Sequence, residues 1–118
     1  MKVCVIEDDA IMLDHIAAML AEMGCEVETA LDVDTGLKKI AAFKPDAIVA
    51  DILMPDRDGL NLIMDLRDQH DSIRIVAITG GGRLGAGPVL NMAKGLGAHA
   101  TLVKPFSQDE LRGALQLA

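Results

Sequence analysis

Residues 47–51 read AIVAD: four apolar residues, Ala47–Ala50, closed by a carboxylate. A short apolar run without alternation predicts a strand covered on both faces, the usual condition of a strand in a parallel sheet. Runs of the same kind recur on either side of it, at Lys2–Ile6 (KVCVI), Arg74–Thr79 (RIVAIT) and Ala100–Val103 (ATLV). Cys25–Ala30 (CEVETA) alternates instead, as suits an edge strand.

Helical patterns fill the intervals. Ile16, Met19, Leu20 and Met23 follow helical spacing, and Gly24 supplies the stop. Asp32 caps a second helix with the inner face Leu37, Ile40 and Ala41, ended before Pro45. Leu62, Ile63 and Leu66 form a third stripe, and Pro88 opens a fourth helix that closes near Gly97. Ser107 with Glu110 is a capping box for the fifth, whose Leu111 and Leu115 face inward. Strand–helix alternation with short connections means parallel strands joined by right-handed crossovers. The expectation is an α/β fold: a doubly wound, five-stranded parallel sheet in three layers, α/β/α, forming a single domain over residues 1–118.

A chain of 118 residues buries about two thirds of its unfolded surface, enough to fold without staples. Its 51% apolar and 25% charged residues exclude disorder. The apolar runs are only strand-length, so no membrane span is predicted. Met1-Lys2 opens directly into a strand, which predicts no signal peptide and a cytoplasmic location. The net charge of −7 repels phosphate backbones, so no nucleic-acid partner is expected. With no Trp or Tyr and two Phe, the chain offers no stacking platform for bases or sugars. Cys4 and Cys25 read as small buried hydrophobes, and the methionines as core fillers or surface residues.

In an open parallel sheet, ligands bind beyond the carboxyl ends of the strands. Those ends carry Glu7-Asp8-Asp9, Asp51, Thr79 and Lys104-Pro105. Carboxylates gathered there repel by roughly 4 kcal/mol per pair at about 4 Å, so a cation is needed to hold them. Oxygen donors without His or Cys point to Mg²⁺ or Mn²⁺. A carboxylate beside such an ion can attack phosphorus. A hydroxyl at Thr79 and an ammonium at Lys104 suit the oxygens of the transferring group.

Taken together, the acidic pair after the first strand, DILMPDRDG (51–59), the Thr after the fourth strand and KPF (104–106) resemble the receiver domain of two-component response regulators over essentially the whole chain. The resemblance implies a flavodoxin-like sheet of order 2-1-3-4-5 and a phosphoryl group taken by Asp51 from a sensor histidine kinase or a histidine phosphotransfer protein. It implies Mg²⁺ bound directly by Asp8, through water by Glu7, and by Asp51 and the backbone carbonyl of Leu53, with Asp9 left to cap the first helix. It assigns Thr79 the hydroxyl that turns toward the phosphoryl group, Lys104 the phosphate-binding ammonium, and the Lys104–Pro105 bond a cis geometry. A downstream protein partner would read the fourth helix, fifth strand and fifth helix. The chain would catalyse only its own phosphorylation and dephosphorylation.

Other readings compete. Asp8 and Asp9 alone would serve as helix N-terminal carboxylates, and Asp56 and Asp58 around Arg57 suit a turn. An Mg²⁺-dependent aspartyl-nucleophile phosphatase of the haloacid-dehalogenase type would need an acid at position 53, where Leu53 stands. Gly80-x-Gly82-x-x-Gly85 satisfies a dinucleotide fingerprint, but no acidic residue closes the next strand; Lys104 is there. A receiver-like interaction module without phosphotransfer is disfavoured by the intact set Glu7, Asp8, Asp51, Thr79 and Lys104. His15, His70 and His99 lie on different elements and form no predicted cluster.

Two features depart from the family pattern. Thr101 stands where the family has a switching aromatic, and Gly80–Gly87 is long and glycine-rich. Both suggest that phosphorylation reorders this loop and the face formed by the fourth helix, fifth strand and fifth helix. Leu53 and Gly81 offer no side chain to orient a hydrolytic water, which predicts a slowly hydrolysed phosphoryl group. Ala118 follows closely on the fifth helix, as expected for a stand-alone or relay receiver or a fragment of a longer protein.

Overall fold

The computed structural model describes residues 1–52, 59–69, 72–80 and 87–117. Its elements follow in strict alternation: β1 (Lys2–Ile6), α1 (Ala10–Glu22), β2 (Glu26–Ala30), α2 (Val33–Phe43), β3 (Ala47–Asp51), α3 (Gly59–Gln69), β4 (Arg74–Thr79), α4 (Gly87–Leu96), β5 (Ala100–Val103) and α5 (Gln108–Leu115). The strands form one parallel sheet of order β2-β1-β3-β4-β5. This is the predicted doubly wound, flavodoxin-like sheet, with β2 on an edge.

The apolar runs lack alternation because both sheet faces are buried. Cys4, Ile6, Ile48, Ala50, Ile75 and Ala77 pack under α2, α3 and α4, against Val33, Ile40, Leu62, Ile63, Leu66 and Ala93. Their neighbours Val3, Val5, Val49, Val76 and Ile78 point the other way, onto Leu13, Ile16, Leu20, Leu111 and Leu115 of α1 and α5. Each fully buried Leu or Ile contributes about 1.5–3 kcal/mol of transfer free energy, so in the inner strands β1, β3 and β4 no position after the first is polar until the strand ends. The polar residues therefore collect at one rim.

Two boundaries and one helix face differ from the sequence reading. Cys25 is not in β2: its N–H donates to Leu20 O at 3.0 Å and completes the close of α1, where Gly24 takes φ +85°. β3 runs one residue further, since Asp51 still pairs with Ile78. Ala41 is exposed, and the buried stripe of α2 is Val33, Gly36 and Ile40 with Leu37 partly covered. Cys4 is buried, Cys25 is half-buried, and both are free thiols. The expectations placed on the Leu53 carbonyl, on Asp56–Asp58, on His70 and on the glycines between 81 and 86 lie outside the described residues. No described helix is long and apolar enough to cross a membrane.

Candidate functional site

The switch in strand order lies between β1 and β3, whose neighbours run in opposite directions across the sheet. Glu7 and Asp51 stand at these two strand ends, and Thr79 and Lys104 stand at the ends of the next two. Main-chain bonds fix each position. The Glu7 N–H donates to Ala30 O at 3.0 Å, and the Lys104 N–H donates to Thr79 O at 2.8 Å. The bond between Lys104 and Pro105 is cis.

From there the side chains converge. Lys104 Nζ donates to Asp51 Oδ2 at 2.8 Å and to Glu7 Oε1 at 2.5 Å. Glu7 and Thr79 are wholly buried and Asp51 nearly so, whereas Asp8 is exposed. Carboxylate oxygens of Glu7, Asp8 and Asp51 lie within 4.8 Å of one another. Asp9 has turned away: its Oδ1 accepts from the N–H groups of Ile11 at 3.0 Å and Met12 at 3.3 Å, capping α1. It is thereby spent on the helix.

The electrostatics follow from burial. Loss of water around Glu7, and then the Asp51 carboxyl beside it, push its pKa from 4.5 up to about 7, with Lys104 working against the shift. Burial alone would lower Lys104, but its hydrogen bonds and charge pairing with Asp51 and Glu7 outweigh this and hold the ammonium above its ordinary value. One ammonium thus serves two carboxylates, and Glu7 Oε2 is buried with no hydrogen-bond partner among the described residues. A buried carboxylate with one oxygen so placed, grouped with two further carboxylates, is a donor set suited to a hard divalent cation.

The structure brings together Glu7, Asp8, Asp51 and Lys104 around one point and sets Thr79 on the adjoining strand end. The direct link from Glu7 to Lys104, across 97 residues of sequence, was not anticipated; only the apolar run leading into Glu7, which implies burial, hints at it.

The family model described as "Response regulator receiver domain" matches residues 3–116. The chain is 33% identical to the two-component response regulator PhoP of Pseudomonas aeruginosa over 117 residues, covering 98% of this chain and 50% of that protein. It is 34% identical to the response regulator MprA of Mycobacterium avium over 113 residues, covering 94% of this chain and 47% of the relative. It therefore spans about half the length of these relatives. Among solved structures, the chemotaxis protein CheY4 of Vibrio cholerae superposes with a TM-score of 0.86 at 29% identity, covering 98% of this chain and 95% of that one. With fold, rim chemistry and sequence in agreement, the chain belongs to the response regulator receiver domain family.

Proposed function

We propose that residues 1–118 act as a phosphoaccepting switch in which Asp51 is the acceptor. The reading rests on one observation above all: Lys104 joins the buried Asp51 and Glu7 carboxylates at the carboxyl rim of the sheet, while Glu7 Oε2 is left unspent. Glu7, Asp8 and Asp51 would hold Mg²⁺, with the Leu53 carbonyl as a further ligand. The ion supplies charge neutralisation for a phosphoryl group and its oxygens.

In the reaction, an Asp51 carboxylate oxygen forms a bond to phosphorus as the P–N bond of a phosphohistidine breaks. The imidazole leaves and takes up a proton, and an acyl phosphate remains on Asp51. Lys104 then pairs with a phosphoryl oxygen, and the Thr79 hydroxyl, buried on the adjoining strand, donates to another. The donor is a histidine kinase or a histidine phosphotransfer protein. The chain turns over no other substrate, and its output is a changed contact with a downstream protein through α4, β5 and α5. Val103 on β5 and Met92 on α4, large apolar side chains 44% and 56% exposed, support this reading. Thr101 cannot act as an aromatic switch, so α4 carries the change.

Acetyl phosphate with Mg²⁺, read by intact mass, tests the proposal. One phosphoryl adduct is expected on the wild type, none on Asp51→Asn, and none once the metal is chelated. Wild type without an adduct would leave a receiver-like interaction module; steady release of inorganic phosphate from unrelated phosphate esters would indicate a phosphatase.

A further inference from the structure

We propose that Gly36 is a positioning residue for the metal-binding carboxylates, acting through Ile6 and Ala30; the inference rests on the Mg²⁺ site named above. Gly36 lies in the interior of α2 and is buried against the sheet. A glycine there costs about 1 kcal/mol of helix stability relative to alanine. Its φ is not positive, so backbone conformation gives no reason for it. The reason is space. A Cβ at position 36 would lie 2.5 Å from Ile6 Cδ1, 2.8 Å from Ile6 Cγ1 and 3.6 Å from Ala30 Cβ.

Ile6 and Ala30 are the final paired rung of the β1–β2 ladder. Glu7 hangs from that rung twice, by its peptide bond to Ile6 and by its N–H donated to Ala30 O at 3.0 Å. The bare backbone of α2 at Gly36 thus presses on the two residues that set where Glu7 leaves the sheet. Beyond Glu7 the chain continues into Asp8, and across the site Glu7 Oε1 holds Lys104. Ile6 is fully buried, so its side chain has little room to yield. A methyl group at position 36 moves the end of β1 before it moves the core.

The experiment is a Mg²⁺ titration of wild type, Gly36→Ala, Ile6→Val and the double variant, followed by the amide shifts of residues 7–9, with urea midpoints measured in parallel. Gly36→Ala is expected to weaken Mg²⁺ about tenfold, the low end for groups that orient metal ligands. Ile6→Val thins the contact without a clash and weakens Mg²⁺ less than Gly36→Ala does. In the double variant the 2.5 Å contact with Cδ1 is gone but the 2.8 Å approach to Cγ1, which valine keeps, is left, so affinity recovers in part and falls between those of Gly36→Ala and Ile6→Val. Should Gly36→Ala alone fail to fold, a double variant binding Mg²⁺ more weakly than Ile6→Val still supports the coupling. Equal affinity in all folded variants, whatever their urea midpoints, overturns the proposal and leaves Gly36 a packing residue. A wild type that binds no Mg²⁺ overturns the site reading itself, and the positioning role with it.

Discussion

The Lys104 ammonium sits 2.8 Å from Asp51 Oδ2, and the same nitrogen is 2.5 Å from Glu7 Oε1. It is the internal counter-ion of the two carboxylates. Removing one member of a buried ion pair leaves its partner charged and unsolvated. Lys104→Met is therefore expected to lose about 3 kcal/mol of metal-free stability at pH 8, with much of the loss recovered in Mg²⁺. Urea denaturation with and without the metal checks this; equal midpoints for variant and wild type would contradict the arrangement.

Glu7 makes stability fall with pH in the absence of metal. Its folded pKa of about 7 lies above the ordinary 4.5, so the folded chain holds a proton that the unfolded chain has released. The favourable contribution is complete below about pH 4.5 and is lost as pH rises through about 7, a change of about 3 kcal/mol. Mg²⁺ replaces that proton and should flatten the slope while raising the melting temperature. Calorimetry from pH 5 to pH 8, with and without millimolar Mg²⁺, reads both effects.

His99 gives the opposite dependence. Its Nδ1 accepts from the Ile75 N–H at 3.0 Å, and its own N–H donates to Ile75 O at 2.8 Å, so the residue clasps the start of β4. Burial, then the positive charges of Arg67 and Arg74, hold the ring below its ordinary 6.5. The neutral ring's contribution is present above pH 6.5 and is lost as pH falls through the lower folded value, when Nδ1 becomes a donor and can no longer accept. In His99→Asn an amide oxygen can take the same N–H without titrating. The difference in urea midpoint between variant and wild type should shift toward the variant below pH 6 and stay constant above pH 7.5.

Ser107 ties α5 to the turn after Lys104. Its Oγ accepts from the Glu110 N–H at 3.0 Å, and its N–H donates to Glu110 Oε1 at 3.1 Å. Ser107→Ala should cost about 1 kcal/mol and leave the Mg²⁺ affinity unchanged, because the cap lies beyond the rim. A wild-type urea midpoint would show that packing of Leu111 and Leu115 alone holds the helix.

The layered fold was legible because burial on both sheet faces forces unbroken apolar runs, and such runs are visible in a sequence. The stripe of α2 was partly misread because Gly36 carries no hydrophobic signal, although the helix packs through it; Ala41 carries that signal and faces water. Cys25 looked like a strand residue because a half-buried thiol scores as apolar whether it ends a helix or begins a strand. At the rim, the residue types pointed to Asp51 and Lys104. The pairing of Glu7 with Lys104 was hidden, since proximity across the sheet depends on strand order and not on local spacing.

That pairing binds the first strand to the last. A nascent polypeptide exposes Glu7 and Asp51 to the ribosome tunnel's exit long before residue 104 emerges, and until then the acidic rim has no ammonium of its own. A polypeptide cut ahead of its fifth strand would carry both carboxylates without the cation that joins them, and the clasp across the sheet could not form.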